Sequence, residues 1–206
     1  MAKKADNFSE EVIYSDPKAE SIEKFGMIAN FMWRRAFFLL KLVIDSGVKV
    51  RVLDPCAGGG KLLSKGDKGF VSFGYEPDYV NWYFAHNYMK QKGYDATVIN
   101  DCFESHFADV NPLGFHAVIS IPYTDREING AYEIDKKYLE ISNYAFYVMS
   151  RSIDVMFESG IGVFCLPKEY VESEKYQTHM QDIMNKASIL TVEIYEKWAI
   201  LVLKKI

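Results

Sequence analysis

The chain has 206 residues, of which 49% are hydrophobic and 25% are charged, so it is long enough to bury a sizeable core and has an ordinary globular composition. Its net charge of −4 argues against a free-standing nucleic-acid binder, because such proteins usually carry a strongly basic face. The three cysteines are far apart, so neither a disulfide framework nor a zinc site is expected.

The N-terminal region carries no targeting or membrane signal. Residues 1–17 are polar and lack the apolar segment of a signal peptide, so we expect a polar arm and a cytoplasmic protein. The most apolar stretch, AFFLLKLVI at 36–44, is too short to cross a bilayer and is interrupted by Lys41. No membrane partner is therefore expected.

Apolar periodicity predicts alternating helices and strands after this arm. Apolar residues recur at helical spacing over 18–46, and Gly47 offers an end for that helix. Strands are predicted at 49–54, 69–76, 96–101, 115–121, 161–167, 190–195 and 198–205, and further helices at 60–65, 77–93, 135–158 and 173–187. This alternation indicates parallel βαβ units, while the short link before the last strand requires antiparallel pairing there.

The elements fit one α/β domain over residues 18–206. We expect a seven-stranded, mostly parallel sheet with a C-terminal antiparallel hairpin and helices on both faces. Polar side chains stand at the carboxyl ends of the first four strands, namely Asp54, Glu76, Asp101 and Ser120. Ligands of open α/β sheets bind beyond these strand ends, so the functional site is predicted there.

The stretch LDPCAGGGKLL, residues 53–63, raises the question of what its glycines approach. A phosphate-binding P-loop needs a glycine where Pro55 stands and a hydroxyl residue where Leu62 stands, so nucleotide hydrolysis is not expected. A dinucleotide fingerprint needs a third glycine where Leu63 stands, although Glu76 lies where a ribose-binding acid belongs. The pattern therefore favours a nucleoside cofactor without phosphates.

Four segments carry a resemblance to a known family. DPCAGGGKLL resembles motif I of the amino-methyltransferases that use S-adenosylmethionine, and GYEPD and IND resemble their second and third motifs. SIPY is similar to their Asn/Asp/Ser-Pro-Pro-aromatic motif. The resemblance runs from about residue 24 to residue 206 and is strongest to small N6-adenine DNA methyltransferases of bacteria and phages. It implies a Rossmann-like class I methyltransferase fold, S-adenosylmethionine as cofactor, no metal, and nucleic acid as partner, with DNA ahead of RNA.

The resemblance also implies where the cofactor lies. Asp54 and nearby backbone groups would meet the methionine amino group, Glu76 the ribose hydroxyls, and Asp101 the adenine amino group. Gly58 and Gly60, which lack a Cβ, would let the backbone pass against the cofactor. The expected cofactor-binding residues are Asp54, Pro55, Cys56, Ala57, Gly58, Gly60, Glu76, Pro77, Asp101, Cys102 and Phe103, with Cys102 or Phe103 packing on the adenine ring.

The expected catalytic residues are Ser120, Ile121, Pro122 and Tyr123. By the same resemblance, an acceptor on Ser120 and the carbonyl of Ile121 would bind the two N–H groups of a target amine. Tyr123 would stack on the target base, which must first be flipped out of a duplex. The helix at 18–46 would close over the methionine part of the cofactor.

The motif leaves the substrate open. Serine at position 120 is more typical of N4-cytosine enzymes, and isoleucine at position 121 occurs in rRNA adenine dimethyltransferases. Adenine in DNA is the first expectation, with RNA adenine, N4-cytosine and protein glutamine as alternatives, and a cofactor-binding subunit without activity as another. No target-recognition domain is predicted, so we expect specificity to come from small loops or a partner subunit, or to be absent.

Overall fold

The computed structural model describes residues 22–65, 69–105, 114–124, 126, 138 and 141–206, so the predicted polar arm at 1–17 lies outside it. Within these ranges the strands are β1 (Val50–Asp54), β2 (Phe70–Tyr75), β3 (Ala96–Ile99), β4 (Phe115–Ser120), β5 (Met156–Pro167), β6 (Ala187–Ile194) and β7 (Trp198–Lys205). The α-helices are α1 (Ile22–Asp45), α2 (Tyr79–Lys92), α3 (Tyr144–Val155), α4 (Glu169–Glu172) and α5 (Gln177–Met184).

The strands of the described residues form one seven-stranded sheet in the order β3-β2-β1-β4-β5-β7-β6. The first five strands pair in parallel, whereas β7 pairs antiparallel with both β5 and β6. The predicted mostly parallel sheet with a C-terminal antiparallel hairpin is confirmed. The strand order reverses between β1 and β4, so the ends of these two strands flank the place where α/β sheets bind ligands.

Helices cover both faces of the sheet, as predicted, because neighbouring residues of each strand point to opposite sides. Val52 lies in the core cluster that contains the buried face of α1, including Met32 and Trp33. Leu53 lies in the opposite cluster, which contains α3 residues such as Phe146. Burial on both sides explains why these strands read as nearly continuous apolar runs.

The boundaries around α3 differ from the prediction of a helix over 135–158. The Asn143 side chain accepts the backbone N–H groups of Ala145 at 3.0 Å and Phe146 at 3.3 Å, so the described helix begins at Tyr144. It ends at Val155, and Met156 already belongs to β5, five residues before the predicted start. Residues 135–137 and 139–140 lie outside the described part of the chain.

The smaller helical predictions also shift at their ends. Over 60–65 the structure has a 3₁₀ turn at Leu63–Lys65, and over 173–187 a 3₁₀ turn at Glu174–Tyr176 precedes α5. None of the helices in the described ranges combines the length and apolarity that a membrane crossing needs.

Candidate cofactor and catalytic site

Asp54, the last residue of β1, lies at the centre of the site and is almost fully buried, with 1% of its surface exposed. Its Oδ1 accepts a hydrogen bond from the backbone N–H of Cys56 at 3.1 Å and from the Ser120 hydroxyl at 2.8 Å. Burial raises the pKa of the Asp54 carboxyl to about 7, although both hydrogen bonds lower it, and the nearby charge of Glu76 raises it further.

The second carboxylate oxygen of Asp54 fits a cationic ligand. Oδ2 is buried and accepts no hydrogen bond from any described residue. A buried oxygen in this condition is costly, so a bound ammonium group would satisfy it and favour the ionised carboxylate. The residues present therefore fit the amino-acid end of S-adenosylmethionine.

Glu76 directly follows β2 and is also buried, at 1% exposure. Its Oε1 accepts the backbone N–H of Asp78 at 2.8 Å, and its Oε2 accepts the Tyr123 hydroxyl at 2.6 Å. Burial raises the pKa of Glu76, whereas hydrogen bonds from Tyr123 and from the backbone of Asp78 and Gly58 lower it. The carboxylates of Asp54 and Glu76 thus lie at the ends of the adjacent strands β1 and β2.

Helix α2 fixes the segment that carries Glu76. The Asp78 side chain accepts the backbone N–H of Asn81 at 2.8 Å and so caps the helix N-terminus. The helix ends at Gly93, which adopts a left-handed conformation at φ 70°. Pro77, between Glu76 and the cap, is exposed, and its carbonyl accepts the side-chain amide of Asn100 at 3.2 Å.

The segment after β3 brings Asn100 and Asp101 to the same edge of the sheet. The Asn100 amide also donates to the Glu76 carbonyl at 2.9 Å, so it ties the ends of β2 and β3 together. The partly buried Asp101 accepts the backbone N–H of Cys102 at 2.7 Å. Asn100 lies within the IND motif, but nothing in that motif predicts the contact between Asn100 and the end of β2.

Cys102 and Phe103 occupy different environments. Cys102 is 6% exposed and its sulfur accepts a hydrogen bond from Arg126 at 2.8 Å. Phe103 is fully buried, with its ring 5.6 Å from that of Tyr75 and 5.1 Å from the guanidinium carbon of Arg151. In this conformation the Phe103 ring faces the core, so Cys102 is the better placed of the two to meet a ligand.

The glycine stretch follows β1 along the chain and packs against α2. Gly58 and Gly60 have positive φ angles of 50° and 80°, which L side chains rarely adopt. A Cβ at Gly60 would lie 2.7 Å from the Met89 side chain and 3.1 Å from Ala85, both on α2. The missing side chain at Gly60 therefore permits packing against α2, a role that differs from the expected approach to the cofactor.

The rest of this stretch is tied into the fold. The Ala57 backbone N–H donates to the Tyr75 carbonyl at 2.9 Å, and the Trp33 indole of α1 donates to the Leu62 carbonyl at 2.6 Å. Pro55 and Cys56 are buried. Burial raises the pKa of the Cys56 thiol, which argues against a role as a thiolate nucleophile.

The SIPY segment leaves the end of β4 beside Asp54. Ser120 has no exposed surface, and its hydroxyl is directed at Asp54. Ile121 packs against the α1 side of the core, and Pro122 is buried. Tyr123 packs partly against a buried cluster formed by Cys56, Tyr138, Tyr144, Tyr147 and Val148.

Arg126 joins this segment to the residues after β3. Its guanidinium donates to the Tyr144 hydroxyl at 3.0 Å and lies 3.3 Å from a carboxylate oxygen of Glu104. Glu104 is buried, and Tyr144 donates to its other oxygen at 3.1 Å. The sequence pattern gives no signal for Arg126, because an isolated arginine in a loop has no periodic or motif context.

Across the described residues, no group of three or more histidine, cysteine, aspartate and glutamate side chains could hold a metal ion. The acids of the site lie on separate strand ends and accept hydrogen bonds from backbone and hydroxyl groups.

Solved structures share this architecture. A candidate class I S-adenosylmethionine-dependent methyltransferase from Listeria monocytogenes superposes with a TM-score of 0.67 and 17% identity, covering 89% of this chain and 59% of that one. The methyltransferase subunit of a type I restriction-modification system from Streptococcus thermophilus gives a TM-score of 0.66 and 15% identity, covering 86% and 43%. The chain thus spans less than two thirds of the length of either protein.

A third match has nearly the same length. A candidate methyltransferase from Escherichia coli superposes with a TM-score of 0.60 and 14% identity, covering 92% of this chain and 89% of that one. No protein-family model and no curated protein matches the sequence. The chain has the fold of class I S-adenosylmethionine-dependent methyltransferases.

Proposed function

We propose that this protein is an S-adenosylmethionine-dependent methyltransferase that methylates an exocyclic amine, with N6 of adenine in DNA as the first candidate. The observation that carries the proposal is that the acids of the first two motifs both contact the SIPY segment. Asp54 contacts Ser120 at 2.8 Å and Glu76 contacts Tyr123 at 2.6 Å. The predicted cofactor site and the predicted target site are therefore adjacent.

The cofactor would be held by Asp54, Glu76 and Asp101 together with the glycine turn. The unpaired Oδ2 of Asp54 suits the ammonium group, and Glu76 suits paired hydroxyl groups. Bound S-adenosylmethionine would supply a methyl group on a positively charged sulfur. With the electrophile supplied in this way, the protein's own contribution is mainly alignment of the amine with that methyl group.

The target amine would lie against the end of β4. Its nitrogen lone pair would form the new N–C bond, the bonding pair of the S–C bond would leave with the neutralised sulfur, and the proton released by the amine would pass to solvent. The Ile121 carbonyl would accept an N–H of the amine and favour a tetrahedral nitrogen. Tyr123 offers a ring for stacking, a contact worth about 1–3 kcal/mol per base.

A specific observation favours a second candidate, a cofactor-binding subunit without activity of its own. The Ser120 hydroxyl donates to Asp54 and has no exposed surface, so its contact with a target amine requires rearrangement. The Streptococcus methyltransferase subunit of a type I restriction-modification system shows that a protein of this fold can act as part of an assembly. A catalytic subunit would then supply the target-binding residues.

The experiment combines cofactor binding with product analysis. Calorimetry with S-adenosylmethionine tests the shared cofactor site, and Asp54→Asn should weaken binding at least tenfold because it removes the charge opposite the ammonium. Methyl-labelled cofactor is then incubated with unmethylated DNA, ribosomal RNA and a protein extract, and labelled products are identified by mass spectrometry. N6-methyladenine formed in DNA by the wild type, and lost in Tyr123→Ala, would support the first candidate.

The remaining outcomes separate the candidates. Binding of cofactor with equally low transfer by wild type and Tyr123→Ala would favour the inactive subunit. Label in RNA or protein would replace DNA as the substrate. No binding of cofactor by the wild type would contradict both candidates.

A further inference from the structure

The Glu76 carboxylate and the Tyr123 hydroxyl are hydrogen bonded at 2.6 Å, although the two residues are 47 positions apart. Under the proposed function they serve different ligands. Glu76 is expected to accept the ribose hydroxyls of the cofactor, and Tyr123 is expected to stack on the target base. Their direct contact uses acceptor capacity of Glu76 that the ribose hydroxyls would need, and it holds the Tyr123 side chain beside Glu76.

The acceptor capacity of Glu76 makes these uses compete. A carboxylate has about four acceptor positions. The Tyr123 hydroxyl and the backbone amides of Asp78 and Gly58 already donate to it. Two ribose hydroxyls would need two positions where about one is left, so one existing donor must leave.

Tyr123 is the donor able to leave. The Asp78 amide is fixed because the same residue caps helix α2 through its side chain. Gly58 is fixed in a turn at φ 50°. The Tyr123 hydroxyl ends a side chain that can change rotamer, a motion that needs no change of the backbone.

The Tyr123 ring is also partly covered in its present position. The ring packs partly into the cluster with Cys56, and its centroid lies 6.4 Å from that of Tyr144 at an interplanar angle of 39°. Moving the ring away from Glu76 would also turn it out of this cluster. Cofactor binding and exposure of the stacking face would then be the same movement.

We propose that the Tyr123 hydroxyl competes with the cofactor ribose for Glu76, so that cofactor binding releases Tyr123 to stack on the target. The inference rests on the proposed function. Tyr123 then lowers the affinity for the cofactor as well as binding the target. The cofactor binds before the target. The apparent affinity for the cofactor is the intrinsic affinity multiplied by the fraction of molecules in which the Tyr123–Glu76 hydrogen bond is broken.

Calorimetry with S-adenosylhomocysteine tests the competition without any target. Tyr123→Phe keeps the ring and removes only the hydroxyl, so it should bind about three- to tenfold more tightly than wild type, which corresponds to the net worth of about one ordinary hydrogen bond. Tyr83→Phe on α2, at a ring that is 51% exposed, is the matched control and should bind like wild type. Equal or weaker binding by Tyr123→Phe would overturn the competition.

A double-mutant cycle shows whether the gain acts through Glu76. In a Glu76→Ala background the change Tyr123→Phe should no longer increase affinity. A gain of the same size in both backgrounds would overturn the proposal, since the hydroxyl would then be acting elsewhere.

Fluorine NMR gives a readout of Tyr123 itself. In protein labelled with 3-fluorotyrosine, the resonance that disappears in Tyr123→Phe should shift on addition of S-adenosylhomocysteine. Unchanged position at saturation, in a sample shown by calorimetry to bind, would overturn the release of Tyr123. Failure of wild type to bind S-adenosylhomocysteine is a different result, because it removes the proposed function on which the inference rests.

Discussion

Asp54 and Ser120 are joined by a buried hydrogen bond of 2.8 Å between residues 66 positions apart. Parallel pairing of β1 with β4 produces this contact, because Leu53 is paired with Val118 and β4 ends one residue beyond β1. The bond therefore couples the carboxylate of Asp54, in the first predicted cofactor motif, to the first residue of the SIPY segment. A change of charge at Asp54 therefore acts directly on Ser120, the first residue of that segment.

The contribution of Asp54 to the stability of the cofactor-free protein should fall as pH rises from about 4 to about 7. The pKa of Asp54 is about 7 in the folded protein against an ordinary value of 3.8, so between these values the folded state binds more protons than the unfolded state. The Asp54 contribution is thus fully present below the ordinary pKa and lost as pH passes the folded one. Its size is on the order of a few kcal/mol.

Urea unfolding of wild type and Asp54→Asn at pH 5 and pH 8 measures this component. The variant has no carboxyl to titrate, so its stability relative to wild type should increase between the two pH values. Asp95→Asn, at an exposed acid paired with Lys49 at 2.7 Å, is the control and should show little change. A constant difference between Asp54→Asn and wild type would contradict the raised pKa.

Ser120→Ala should destabilise the protein more at pH 8 than at pH 5. The Ser120 hydroxyl lowers the pKa of Asp54 by donating to it, so its removal leaves an ionised, buried oxygen poorly satisfied. The expected cost at pH 8 is about 1–3 kcal/mol in the free energy of unfolding. Ser188→Ala, at an exposed position of β6, should cost little at either pH.

Gly60→Ala should cost about 2–3 kcal/mol of unfolding free energy, combining a left-handed φ of 80° with crowding against Ala85 and Met89. Gly47→Ala separates these two causes. Gly47 has a similar φ of 79° but no heavy atom within 4 Å of an added Cβ, so only the conformational cost of about 1 kcal/mol applies. Equal losses in thermal or urea unfolding would mean that packing on α2 does not restrict position 60.

Local pattern was sufficient to predict the architecture and the strand-end acids. Alternating apolar periods and the short final link predict the sheet, and Asp54, Glu76 and Asp101 follow from the ends of the apolar runs. The side-chain pairings lie beyond such reasoning. Whether Tyr123 meets Glu76 depends on rotamers and on the register of strands distant in sequence, which no local pattern contains.

The same limit explains the error at α3 and the additional packing role of Gly60. Asn143 caps α3 through its side chain, whereas the sequence periodicity continues past that point and suggests a longer helix. The role of Gly60 depends on how closely α2 approaches it, a distance that the glycine motif does not specify. The helix start is determined by a capping contact and the packing of Gly60 by a tertiary contact. Neither contact is encoded by periodicity or by the motif.

Arg126→Ala should destabilise the protein and slow any methyl transfer, because it leaves the buried Glu104 carboxylate without its ion-pair partner. Removal of one member of a fully buried pair costs about 3–5 kcal/mol. Since the Arg126 side chain is 23% exposed, we expect about 1–3 kcal/mol in urea unfolding. Arg35→Ala is the matched control, because Arg35 pairs with Glu193 at the surface and should contribute less than about 1 kcal/mol.

A second substitution identifies the cause of the Arg126 effect. In Arg126→Ala the unpaired charge is on Glu104, so adding Glu104→Gln should recover part of the lost stability. The double variant should still methylate slowly, because the link between the SIPY segment and Cys102 stays broken. Recovery of both stability and rate would mean that Arg126 only neutralises Glu104, whereas recovery of stability alone would identify Arg126 as a positioning residue for the catalytic segment.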